Sequence, residues 1–96
     1  MNVRILPSFI AKLQFVLEKI AEDKKSAAHT FRREILRECY SLSDFPYRCR
    51  RSINYNDDNI RDLIFNGYTI IYKIVDNEIK VFALTKYEDY KDESDQ

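Results

Sequence analysis

The sequence has no Trp, one Gly, two Pro, two Cys and one His. A single glycine excludes a glycine-rich phosphate loop, and so few turn formers imply few tight turns and long regular elements. Cys39 and Cys49, ten residues apart beside the lone His29, fall short of the four ligands a structural zinc site takes. No metal and no cofactor is expected. Long apolar runs are also missing: the longest are four residues, such as Val81-Phe82-Ala83-Leu84. That excludes a membrane-spanning helix and a signal-peptide core, so the expectation is a cytoplasmic protein with no membrane contact and reduced cysteines. Cys39, on an apolar helical face, then reads most simply as a small buried hydrophobe.

What is present is the balance of a globular protein: 96 residues, 45% hydrophobic and 33% charged, with seven Tyr and six Phe. This is one domain's worth of chain, and it has too much apolar surface for a disordered segment. A domain of this size buries only ~60–65% of its unfolded surface, so a partner would stabilise it appreciably.

The formal net charge of zero conceals a split. Residues 1–86 hold 15 Lys/Arg against 11 Asp/Glu, whereas residues 87–96 hold Lys91 against Glu88, Asp89, Asp92, Glu93 and Asp95. The expected organisation is one domain over 1–86 followed by an acidic, flexible tail over 87–96. Within the domain, Lys24, Lys25, Arg32, Arg33, Arg37, Arg48, Arg50 and Arg51 face only Glu34, Glu38 and Asp44, a local charge of +5. Arginine forks pair with phosphates and carboxylates in two-pronged fashion, so an anionic partner is implied. The plainer alternative is a solvated helix face, although three Arg within residues 48–51 repel one another without a counter-charge.

Along the chain, Val3–Leu6 is a strand candidate stopped by Pro7, and Ser8 offers a helix cap. Phe9, Ile10, Leu13, Val16, Leu17 and Ile20 follow at helical spacing. Residues 23–26 read as a link, with Ser26 a second cap, before Ala28, Phe31, Ile35, Cys39 and Leu42 repeat on a second helix. So short a link predicts an antiparallel helical hairpin. After Phe45-Pro46 and a polar, basic stretch the period changes to two. Strands are expected over 60–65, 68–75 and 79–84, joined at Asn66-Gly67 and Asp76-Asn77. The expected class is α+β, a helical hairpin packed on a small antiparallel sheet in the order β-α-α-β-β-β. Its largely buried residues should be Phe9, Leu13, Leu17, Ile20, Phe31, Ile35, Ile70, Tyr72, Val81 and Ala83. Its other face should be a concave surface lined by the 46–56 loop and residues near Arg61.

Ile60-Arg61-Asp62-Leu63, Gly67-Tyr68-Thr69-Ile70-Ile71-Tyr72-Lys73-Ile74 and Ile79-Lys80-Val81-Phe82-Ala83-Leu84 follow in that order. This stretch resembles the strand pair and apolar last strand of the RelE/ParE superfamily of bacterial toxins. Leu42, Phe45-Pro46 and the basic loop after them fit the family's connection, and the resemblance covers roughly residues 3–90. It implies the toxin of a type II toxin–antitoxin module, a plasmid-stabilising pair in which a cognate antitoxin wraps and blocks the toxin. Arg32, Arg33 and Arg37 would be the basic surface the antitoxin covers.

The superfamily divides by mechanism. RelE-like members are endoribonucleases that cleave mRNA on the ribosome, whereas ParE-like members bind DNA gyrase. Cleavage needs a proton acceptor for the 2′-OH, cations at the phosphate and an acid for the leaving oxygen. The residues that could serve are Arg61, Lys86, Tyr87 and Tyr90, with Arg48, Arg50, Arg51 and Arg61 holding a phosphate or a partner. The alternative is that Arg61 pairs with a strand neighbour and the tyrosines pack at the sheet edge. One departure from the family pattern stands out: Thr69 occupies the position after Gly67-Tyr68 where RelE-like and many ParE-like members carry an Arg, which in the ribonucleases would contact the scissile phosphate, and the His that some of the ribonucleases have after the last strand is missing. The expectation is therefore a toxin that binds gyrase rather than an enzyme. A ribosome-dependent ribonuclease is the alternative, and a non-toxic basic binding module a third.

Overall fold

The computed structural model describes residues 1–86. It contains β1 (Asn2–Ile5), α1 (Pro7–Asp23), α2 (Lys25–Ser41), β2 (Arg50–Arg51), β3 (Ile60–Phe65), β4 (Tyr68–Val75) and β5 (Glu78–Lys86). Two helices pack on a five-stranded sheet ordered β1-β5-β4-β3-β2. This is the expected β-α-α-β-β-β arrangement, with two refinements. The sheet is mixed, because β1 lies parallel to β5, and the two-residue β2 pairs antiparallel with β3.

Both helices begin differently from the expectation. Pro7 does not delay α1 but occupies its first turn, where its missing N–H and fixed φ cost nothing. Leu6 is the N-cap, and Ser8 spends its hydroxyl elsewhere, donating to the Phe82 carbonyl at 2.6 Å. Lys24 alone separates the helices; its N–H closes α1 on the Ile20 carbonyl, and its extended backbone serves as N-cap of α2, so Ser26 caps nothing. One linking residue forces the antiparallel hairpin.

The two strand turns match their sequences. Asn66 (φ 47°) and Gly67 (φ 80°) join β3 to β4, and Asp76 (φ 54°) and Asn77 (φ 59°) join β4 to β5. Positive φ at both central residues is the type I′ geometry whose twist suits a two-residue hairpin.

The main core lies between helices and sheet. It contains Phe9, Leu13 and Val16 of α1, Ile35 and Cys39 of α2, and Leu63, Ile70, Tyr72, Ile74, Ile79, Val81 and Leu84 of the strands. Leu17, Ile20 and Phe31 are half-buried around it. Ala83, expected in the core, is only half-buried, and Leu84 takes that place. The cause is a bulge: Ile71 pairs with Ala83 but Tyr72 pairs with Val81, leaving Phe82 as the extra residue. One inserted residue reverses which side chains face inward beyond it.

Candidate functional site

Register decides which side of the sheet each strand residue serves. Arg61 pairs with Tyr72, which is fully buried in the helix-side core, whereas Asp62 pairs with Ile71 on the opposite, outer side. Arg61 therefore projects to the helix side and does not itself line the outer face. The 52–56 segment does cross the outer face, where the Tyr55 ring packs edge-on against Phe82 at 5.8 Å.

Each arginine of the expected phosphate set has an internal partner. Arg61 Nε donates to the Asp58 carbonyl (2.8 Å), its NH1 donates to the Cys49 carbonyl (3.0 Å), and its guanidinium lies 5.0 Å from the Tyr47 ring centre. Arg51 pairs with the Asp58 carboxylate at 3.1 Å and donates to Asn56 Oδ1 at 2.7 Å. Arg48 donates to the carbonyl and hydroxyl of Ser41, placing a cation at the C-terminal end of α2 where exposed carbonyls favour it. Arg50 lies 3.3 Å from Asp62 Oδ2, and the Asp62 side chain is fully shielded from solvent. The same oxygen accepts the Ile53 N–H. Arg50 and Arg61 are on opposite sides of the sheet, so they do not form one clamp.

The two described members of the expected catalytic set, Arg61 and Lys86, stand apart. Lys86 pairs with Tyr68, four residues along β4 from the Tyr72 partner of Arg61. That separation is about 14 Å along the strands, with two strand spacings across. The Lys86 ammonium lies 5.9 Å from the Tyr68 ring centre. Tyr87, Tyr90 and the acidic segment 87–96 lie outside the described residues. Arg32, Arg33 and Arg37 are exposed on α2, and among the described residues none has an ion pair or side-chain hydrogen bond.

Thr69, at the position of interest, is fully buried on the outer side, and its hydroxyl has no hydrogen-bond partner among the described residues. Two other groups are chemically silenced by burial. Tyr72, whose hydroxyl donates to the Pro46 carbonyl at 2.7 Å, has its phenol pushed far above its usual range, by burial first and by its contact with Cys49 second. Burial, with the Glu38 carboxylate beside it, pushes the Cys39 thiol up to about 12. Neither is a proton acceptor near neutral pH.

Sequence reasoning missed Asp62, the buried anion that holds Arg50 and the 53 backbone. Its signal was available: an acidic residue inside an otherwise apolar strand needs a cation or donors to be tolerated. It also missed Tyr47 and Asp58, which fix Arg61 from loops whose paths the sequence does not specify.

Between the helices, Leu17, Ala21, Ala28, His29 and Arg32 line part of a shallow groove of about 310 Å³. Among the described residues no helix is long and apolar enough to cross a membrane. None of the curated proteins matches the chain. Residues 3–87 match a family model described as the ParE toxin of type II toxin-antitoxin system, parDE. That match spans β1 to the end of β5, and with the helical hairpin on its sheet it establishes that the chain belongs to the ParE toxin family, in which a toxin is paired with a cognate antitoxin.

Proposed function

We propose that this toxin arrests growth by binding DNA gyrase rather than by cutting RNA. The observation that carries the reading is the chemistry at position 69 together with the commitments of the arginines. Thr69 is uncharged and buried, so it offers nothing to a scissile phosphate. Losing a charged donor at such a site typically costs ~10²–10³ in rate. Arg61 cannot replace it without giving up two backbone hydrogen bonds and its Tyr47 stacking. Arginines fixed this way support a loop and present a shaped surface, which suits recognition better than phosphate chemistry.

In this reading residues 1–86 are the toxin domain and residues 87–96 an acidic appendage. The antitoxin covers Arg32, Arg33 and Arg37, because these exposed cations have no internal partners to give up. Arg48, Arg50 and Arg51 shape the loop that a target meets.

The experiment is to express the toxin without its antitoxin and follow plasmid supercoiling and translated mRNA in the same cells. Loss of supercoiling with intact mRNA is expected. Early cleavage of translated mRNA, abolished by Arg61→Lys or Tyr87→Phe, would instead establish the ribonuclease.

A further inference from the structure

Among the described residues two buried side-chain atoms make no hydrogen bond: Asp62 Oδ1 and Thr69 Oγ1. Their residues are 2% and 0% exposed, so surface solvent does not reach these atoms. Register puts the two together. Asp62 pairs with Ile71 and Ile64 pairs with Thr69, so Asp62 and Thr69 are diagonal neighbours on β3 and β4. Both belong to the outer side, because Ile70 and Tyr72, which flank Ile71, lie in the helix-side core.

The bonds that Asp62 does make fix the direction of its other oxygen. Oδ2 lies 3.3 Å from Arg50 and accepts the Ile53 N–H, also at 3.3 Å. Arg50 is the cross-strand partner of Asp62 on β2, whereas β4 lies on the opposite flank of β3. With Oδ2 turned to β2, Oδ1 is turned to β4, where Thr69 stands. Diagonal neighbours on one sheet face are ~7 Å apart, somewhat less between Cβ atoms, and both side chains shorten that gap. What is left exceeds a direct hydrogen bond, since neither atom bonds the other. It suits two hydrogen bonds in series, each ~2.8 Å long.

We propose that Asp62 Oδ1 and Thr69 Oγ1 together bind one internal water molecule, which donates to the carboxylate and exchanges a hydrogen bond with the hydroxyl. A carboxylate oxygen only accepts and a hydroxyl does either, so one small ligand with two donors and two acceptors satisfies both. The charge selects a neutral ligand, because Arg50 already supplies the cation for Asp62. Leaving both oxygens unpaired in the interior costs more than immobilising a water, and two polar partners are enough to hold one.

The bridge makes Thr69 a positioning residue. It ties β4 through Asp62 to Arg50 and to the Ile53 backbone, where the segment that carries Tyr55 to Phe82 begins. This role does not depend on what the toxin targets.

The test is a high-resolution crystal structure of the toxin, with native-state hydrogen exchange on the same protein. Density for a single water within hydrogen-bond reach of Asp62 Oδ1 and Thr69 Oγ1 is expected in wild type and in Thr69→Ser. It should be lost in Thr69→Val, which keeps the shape of the side chain without its hydroxyl. Wild-type density without that water, or a direct Asp62–Thr69 hydrogen bond, would overturn the proposal. Exchange reads the positioning. Measured against the amides of β5 in the same sample, the Ile53 amide should exchange about fivefold faster in Thr69→Val, the worth of one net hydrogen bond. Thr69→Ser should restore the wild-type ratio. An unchanged ratio in Thr69→Val, or one raised equally in Thr69→Ser, would overturn the positioning role.

Discussion

At the scale of single residues, the fold depends on charges that are spent internally. Asp62 is the clearest case: one carboxylate oxygen holds Arg50 and the Ile53 N–H, and the other is buried without a hydrogen-bond partner among the described residues. Arg50→Ala should therefore destabilise the domain by about 1.5–3 kcal/mol, because a buried anion loses its cation. Arg51→Ala, whose partner Asp58 is largely exposed, should cost no more than about 1 kcal/mol. Urea unfolding of the two variants distinguishes them, and equal losses would contradict this account of Asp62. Cys39 supplies a pH dependence. Its folded pKa is raised to about 12 from 9.0. Above pH 9 the unfolded chain thus gives up its thiol proton while the folded one keeps it, and stability falls as pH rises. The slope for one group is at most ~1.4 kcal/mol per pH unit. Unfolding midpoints measured from about pH 8 to 9.5 should decline more steeply in wild type than in Cys39→Val, whose residual slope comes from Tyr72, a phenol also raised by burial.

At the scale of elements, legibility depended on whether the decisive interaction was local. Asn66-Gly67 announced its turn because the residues that need positive φ are the turn itself. Gly67→Ala should cost about 1–2 kcal/mol, although a Cβ there meets no atom within 4 Å, because the penalty is conformational. A thermal melt unchanged by that substitution would refute the turn assignment. The helices were equally visible through their apolar spacing, but their starts were not. Ser8 and Ser26 have the chemistry of caps, yet Pro7 and the extended Lys24 set the boundaries instead. Non-local features were hidden. Nothing in Asn2–Ile5 tells that its partner is β5 rather than β3, and the bulge at Phe82 arises from pairing, not from the run Val81–Leu84 itself. The arginines stood out by type and clustering. Their partners did not, since Arg61 is fixed by Tyr47, Cys49 and Asp58 through loops that only the folded chain brings together.

At the scale of the whole molecule, a charged helix face remains for a partner. Arg32, Arg33 and Arg37 are exposed on α2, away from the sheet. Replacing all three by Glu should slow antitoxin association about 10- to 100-fold at low salt, with a much smaller change in dissociation. Stopped-flow association at two ionic strengths checks this, and a rate indifferent to both salt and substitution would count against steering. The core lies on the other side of α2, so this variant should unfold at nearly the wild-type midpoint. The central claim is that a ParE-family scaffold with Thr69 buried and its loop arginines internally committed acts by binding. The most direct measurement titrates the purified toxin into a DNA gyrase supercoiling reaction, with and without its antitoxin. The account predicts that supercoiling is inhibited and that the antitoxin restores it; undiminished supercoiling at saturating toxin, beside cleavage of mRNA on translating ribosomes, would contradict it.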